Sequence, residues 1–270
     1  MWTDEHRATY KDDGRRYPSD LTNPEWETIS RLFSMYDTLT VDLREMVNAC
    51  LYLQKTGCQW RYLPKDFGPW QTVRTWHDRC RADGIWAEAG ALLTRAVRPK
   101  QGRAADRHPG LAKRRVGAAG GRAGGGNKKI TGIKRHGLTC SLGFVLAVLV
   151  TAANVHDTQA AGVLLDRAAG DGWNLARLKV DGSYVGPRME QAAQRHKLDV
   201  QVSSKAPKAT GFTPLPVRWR IEATFGTQTS RYRCLTRNLE HSDRAAEDAV
   251  NIAAFRRVLV AYCRDSTSIA

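Results

Sequence analysis

Apolar residues recur at steps of three and four through the first third of the chain. Trp26, Ile29, Leu32 and Phe33 form one such stripe, which predicts a helix. Thr22 or Asn23 is placed to cap it, and Pro24 falls in its first turn, where a missing N–H costs nothing. Leu43, Val47, Cys50, Leu51 and Leu53 mark a second helix over about 41–55, with Gly57 just past its end. Pro64, Gly68 and Pro69 then break any regular element. A third helix over about 71–82 carries Arg74, Trp76, His77, Arg79 and Arg81, and a shorter one runs over about 85–97. Helix, turn and basic aromatic helix suit a DNA-reading module, whose recognition helix enters the major groove. On this reading Trp26, Trp60 and Trp76 pack in a core, while Arg74, Arg79 and Arg81 meet phosphates.

The pattern changes after residue 127. Ile130 to Ser141, a Leu-Gly turn and Phe144 to Thr151 predict an antiparallel hairpin. Asp157 is placed to cap a helix over about 158–169. A strand follows, ending at Asp181, then a helix over about 187–196, a strand over 198–203, and two helices over about 216–230 and 243–263. Strands and helices mixed in this order predict a sheet flanked by helices. Between the two halves, residues 102–126 hold 8 Gly, 6 Ala and 6 Lys or Arg. So few apolar side chains cannot offset the entropy of ordering, and the tract is expected to be disordered or extended.

At 270 residues the chain can bury a full core. The longest apolar segment, Gly143 to Ala153, is too short and too strand-like to span a bilayer, so no membrane is expected. Residues 1–16 are polar and read as a disordered tail. They show no basic region followed by an apolar one, so a cytoplasmic protein is expected. Six scattered cysteines without a Cys-x-x-Cys pair fit reduced thiols there. The formal charge of +15 makes a polyanion the natural partner.

Against that charge two carboxylates stand out. Asp181 closes the apolar run from Leu175 to Val180, and Glu222 lies in the basic helical stretch Pro216 to Phe225. An acid at the end of a strand projects from the sheet edge, and one from a neighbouring helix can converge on it. Metal-assisted phosphoryl transfer uses such a pair, because carboxylates are hard oxygen ligands for Mg²⁺. Either acid alone also has an ordinary explanation, Asp181-Gly182 as a turn and Glu222 as a solvated helix position.

Together the blocks Tyr17-Pro-Ser-Asp-Leu-Thr-Asn-Pro-Glu-Trp26, Thr56-Gly-Cys-Gln-Trp60, Pro69-Trp-Gln-Thr-Val73, Gly132-Ile-Lys-Arg-His136, Ala153-Asn-Val-His-Asp157, Asp181-Gly-Ser-Tyr184 and Arg218-Trp-Arg-Ile-Glu-Ala-Thr-Phe225 resemble, in order, the signatures of bacterial insertion-sequence transposases of the DDE class. The resemblance covers about residues 17–100 and 127–263. It implies a helical DNA-binding domain ahead of a ribonuclease H-like mixed sheet flanked by helices. It further implies Mg²⁺ (or Mn²⁺) as cofactor, double-stranded DNA of transposon ends and target as partner, and a homodimer on DNA. Asp181 matches the second catalytic acid and metal ligand, Glu222 the third, and Arg218 the basic residue one helical turn before it. Lys128, Lys129, Lys134, Arg135, Arg220, Arg231 and Arg233 would line a DNA track with Arg218, and Tyr232 could stack on a base.

The block for the first acid, resembling Ile-Asp-Ser-Gln, is missing, and its place falls inside the Gly/Ala/Arg tract. Asp106 is the only acid between Arg103 and His136, and its neighbours do not make a strand. Gly, Ala, Arg and Pro have GC-rich codons, so residues 107–126 fit a stretch read out of frame; a genuine flexible basic arm is the rival reading. The expected organisation is a tail at 1–16, a helical DNA-binding domain at 17–97, a linker at 98–127 and a catalytic domain at 128–265. The expected function is end-binding with impaired Mg²⁺-dependent cleavage and strand transfer. The alternatives are a non-catalytic DNA-binding remnant and a ribonuclease H-like nuclease.

Overall fold

In the computed structural model, residues 15–37, 41–100, 110–117, 124–125, 130–180, 182–202, 216–238 and 240–267 are described. The first helix, α1 (Asn23–Phe33), opens on a reciprocal cap. The Thr22 hydroxyl accepts from the Glu25 amide, and the Glu25 carboxylate accepts from the Thr22 amide. Asp42 caps α2 (Leu43–Thr56), which stops at Gly57 in the left-handed region, φ 65°. Two 3-10 turns lead to α3 (Trp70–Asp83) and α4 (Ile85–Lys100). These bounds follow the apolar periodicity. Arg16, expected in a frayed tail, instead pairs with Glu45 and lies 4.7 Å over the Phe67 ring.

Six strands follow: β1 (Gly110–Gly117), β2 (Gly124–Gly125), β3 (Ile130–Thr139), β4 (Val145–Ala152), β5 (Arg177–Val180) and β6 (Asp199–Val202). The main sheet runs β4-β3-β1-β5-β6, and β2 pairs with the start of β3. Pairing is antiparallel from β4 to β1 and parallel from β1 to β6. This is the mixed sheet flanked by helices that the pattern predicts. Part of the Gly/Ala/Arg tract is thus extended, as β1 in the middle of the sheet, and the rest lies outside the described residues apart from β2.

Successive β3 side chains face opposite helices. Lys134 faces α5 (Asp157–Gly170), where it meets Asp157, while Gly137 faces α7 (Pro216–Arg231), where it meets Phe225. The remaining helices are α6 (Pro187–Arg195), packed on α5, and α8 (Asp243–Thr267), packed on β4 and α7. α8 also packs along α4, so Phe255 joins an aromatic cluster with Phe33 and Trp86, ring centroids 6.2 and 5.5 Å away. The core is therefore continuous from the helical region into the sheet's last helix. Trp76 is buried in it, while Trp26 and Trp60 pack against it half-buried.

One cap differs from expectation. His156, not Asp157, caps α5, its ring nitrogen accepting from the Thr158 amide. Asp157 is instead the first helical residue and pairs with Lys134. Gly137 has a sharper requirement: a Cβ there would lie 2.4 Å from Phe225 Cζ. Gly137→Ala is expected to cost about 1–3 kcal/mol by overpacking, measured by urea unfolding. Phe225→Leu in the same chain should recover part of that loss; no recovery would show that the cost has another source.

Candidate active site and nucleic-acid interface

The sequence places the two acids on different elements. Val180 ends β5, and Gly182 opens a 3-10 turn. Asp181, between them in sequence, lies outside the described residues. Glu222 lies on α7, which packs against β1 and β5; its backbone alone is described. Three residues further along, Phe225 rests on Gly137, which pairs across the sheet with Ala112 of β1. Paired residues on adjacent strands share a face, so position 112 lies on the face that α7 covers. Glu222, three residues before Phe225, belongs to that same helix turn.

From Gly110 to Gly117 the central strand reads Gly-Leu-Ala-Lys-Arg-Arg-Val-Gly, with three cations and no acid. Among the described residues, no three His, Cys, Asp or Glu side chains gather to hold a metal. Asp106 lies outside the described residues. The two carboxylates that the sequence offers, Asp181 and Glu222, are the hard oxygen donors that Mg²⁺ takes together with substrate phosphates.

The basic candidates divide sharply. Lys134 and Arg135, expected on a DNA track, are 4% and 2% exposed. Lys134 donates to the Val155 carbonyl at 2.5 Å and to Asp157 at 3.0 Å, while Arg135 donates to the Leu235 carbonyl at 2.7 Å. Both side chains are turned inward because helices cover both faces of the sheet, so neither is available to a phosphate in this structure. Lys128 and Lys129 lie outside the described residues, and Arg218 and Arg220 are described only as backbone of α7. Arg231 and Arg233 are exposed at and just beyond the end of α7.

On α3, Arg74 and Arg79 are exposed and Arg81 is partly so. Asp78 bridges Arg74 at 3.7 Å and Arg81 at 3.1 Å, ordering their guanidinium groups at the surface. Exposed Gln71, Thr72 and Thr75 lie beside Arg74 near the helix start, the end whose residues contact base edges in such modules. Burial holds the His77 imidazole down at about 4. It is therefore neutral at pH 7 and adds no charge to this face.

A second basic locus was not read from the sequence. Lys55, Arg231, Arg256, Arg257 and Arg264 line a cleft of about 440 Å³ where α2, α7, α8 and the β3–β4 turn meet, and no acid is among its lining residues. Its signal was the Arg256-Arg257 pair inside the otherwise apolar run of α8. Tyr232 also lines it, half-buried, with Lys55 Nζ 5.9 Å from its ring. Burial raises the Tyr232 phenol above its ordinary range, so it stays protonated.

Residues 21–89 match the model of an IS4/5-family transposase region (DUF4096), and residues 98–256 match that of the transposase DDE domain. Among solved structures, the Mos1 transposase paired-end complex with left transposon end is 10% identical, covering 95% of this chain and 88% of that chain with a TM-score of 0.35. No curated protein matches the chain.

Proposed function

Because the chain belongs to the DDE transposases, with an IS4/5-family helical region ahead of the DDE domain, we propose that it binds its transposon ends as double-stranded DNA and cleaves them poorly. Residues 17–97 supply the end-binding module, with α3 as the reading helix and Arg74, Arg79 and Arg81 on phosphates. Residues 128–265 supply the catalytic domain. Asp181 and Glu222 are its second and third catalytic acids, and Arg218, one turn before Glu222, holds a phosphate. Two ends must be cut together, so the working form is a homodimer on DNA. Enzymes of this class typically use divalent metals, Mg²⁺ or Mn²⁺, to cut the ends and join them to target DNA.

The observation that carries the impairment is the central strand. β1 lies between β3 and β5, under the helix that bears Glu222, and contains no acid. This supports residues 107–126 being the product of a shifted reading frame in an ancestral active enzyme. Translating that stretch of the gene in its other two frames tests the idea. An apolar-Asp-Ser-Gln-like block is expected in one of them, and its absence from both would leave β1 as a genuine basic arm. The same observation favours a second reading, in which the chain occupies transposon ends as a non-catalytic remnant.

End recognition is tested by gel shift on terminal-repeat and scrambled duplexes of equal length. The repeat should be retained at higher salt. Arg74→Ala with Arg79→Ala should weaken binding about tenfold and lower the slope of log K against log salt by about two. Equal retention of both duplexes would remove the end-binding reading.

A further inference from the structure

The cleft between α2, α7, α8 and the β3–β4 turn holds two arginines with no carboxylate partner, and polar groups with no hydrogen-bond partner, among the described residues. Arg257 donates to the Gly143 carbonyl at 2.8 Å and to the Thr224 hydroxyl at 3.1 Å, and its guanidinium lies over the Phe144 ring. Those contacts fix its direction without neutralising it. Among the described residues, neither Arg257 nor Arg231 has a carboxylate partner, whereas the neighbouring Arg256 is paired with Glu25 at 2.5 Å. Burial lowers the Arg257 pKa, the direction a cation takes when water is withdrawn and no anion replaces it.

Gln228 lines the cleft together with these arginines and is 2% exposed. Both polar atoms of its amide are buried without a hydrogen-bond partner among the described residues, as is the hydroxyl of Ser19 at the cleft's other wall. A buried donor left unpaired costs about 1–3 kcal/mol. An anionic oxygen in the cleft would satisfy the amide donor and both guanidinium groups together. Gly143 lies between the lining residues Leu142 and Phe144 in the chain. It sits at φ 81°, and a Cβ there would lie 2.8 Å from Thr224 Oγ1 and 3.2 Å from Arg257 Nη2.

We propose that this cleft is a binding site for a backbone phosphate of DNA, held by Arg231, Arg257 and Gln228 with Lys55 at its rim. The inference rests on the DNA-binding reading above and adds a second anchoring point to α3. Gln228 follows Glu222 by six residues on α7, about 9 Å along the helix axis. That distance equals two to three nucleotide steps of about 3.4 Å. A strand gripped here is held at a fixed distance from the acid-bearing turn. Because Lys55 belongs to α2 and the arginines to α7 and α8, the grip also spans the helical region and the sheet domain.

The test compares Lys55→Gln/Arg231→Gln with Arg177→Gln/Arg195→Gln, which removes two exposed cations elsewhere, on terminal-repeat duplex across a salt series. The cleft variant should bind about tenfold more weakly at fixed salt, with a slope lower by about two, at an unchanged melting temperature. The control should stay near the parent. Parent-like binding by the cleft variant, or an equal loss in the control, would overturn the site while leaving end binding intact. A parent chain that binds no duplex at any salt would overturn both.

Discussion

Terminal-repeat duplex incubated with this protein and Mg²⁺ is expected to be bound and left almost uncut. Loss of one charged element from a two-metal clamp removes several kcal/mol of transition-state stabilisation, and each 1.4 kcal/mol is about tenfold in rate. Nicking at least about a thousandfold slower than by an intact relative is the expected reading on end-labelled duplex. A comparable rate would sink the impaired reading and send the search for a third ligand to Asp106 and beyond. Position 112 provides the complementary arm. It pairs with Gly137 on the α7-covered face, and Gly110, two residues earlier, is in parallel register with Lys179, two residues before Asp181. Ala112→Asp is expected to raise Mg²⁺-dependent nicking above that of the parent, and Glu222→Gln in the same chain to abolish the gain. A gain that survives Glu222→Gln would come from elsewhere.

The second large effect concerns stability. Lys134→Met should destabilise the fold by about 3–5 kcal/mol, because it leaves Asp157 buried at 6% exposure without its cation. For a domain of this size that is a fall of roughly 6–20 °C in melting temperature. Replacing both partners, Lys134→Met with Asp157→Leu, should restore most of the loss, since the cost lies in taking the cation away from a buried carboxylate. A single variant melting within a degree or two of the parent would show that Lys134 is solvated, and would return it to the DNA track.

That pair also shows where the sequence stops being informative. Local periodicity found every helix from α1 to α8 and the β3–β4 hairpin, since those signals lie within ten or twenty residues. It could not show that Lys134 and Arg135, adjacent and cationic, both turn inward. Their partners are Asp157, 23 residues away, and the Leu235 carbonyl, 100 residues away. Composition left the Gly/Ala/Arg tract disordered or extended, and within it residues 110–117 form β1, whose place in the sheet follows from its ladder with β3. The expectation of catalytic acids at 181 and 222 rests on their blocks alone. The cleft was not legible, because Lys55, Arg231 and Arg257 converge only after α2, α7 and α8 have packed.

The aromatic cluster of Phe33, Trp86 and Phe255 has a consequence for synthesis. The first ring emerges from the ribosome more than two hundred residues before the last, a delay of roughly 10–40 s at about 5–20 residues per second. Through that interval the nascent helical region carries an unfilled aromatic socket, open to chaperones and to neighbouring chains. A message cut short before codon 255 would release protein with that socket permanently open. Truncated copies should therefore be cleared by proteolysis rather than accumulate as free competitors for transposon ends.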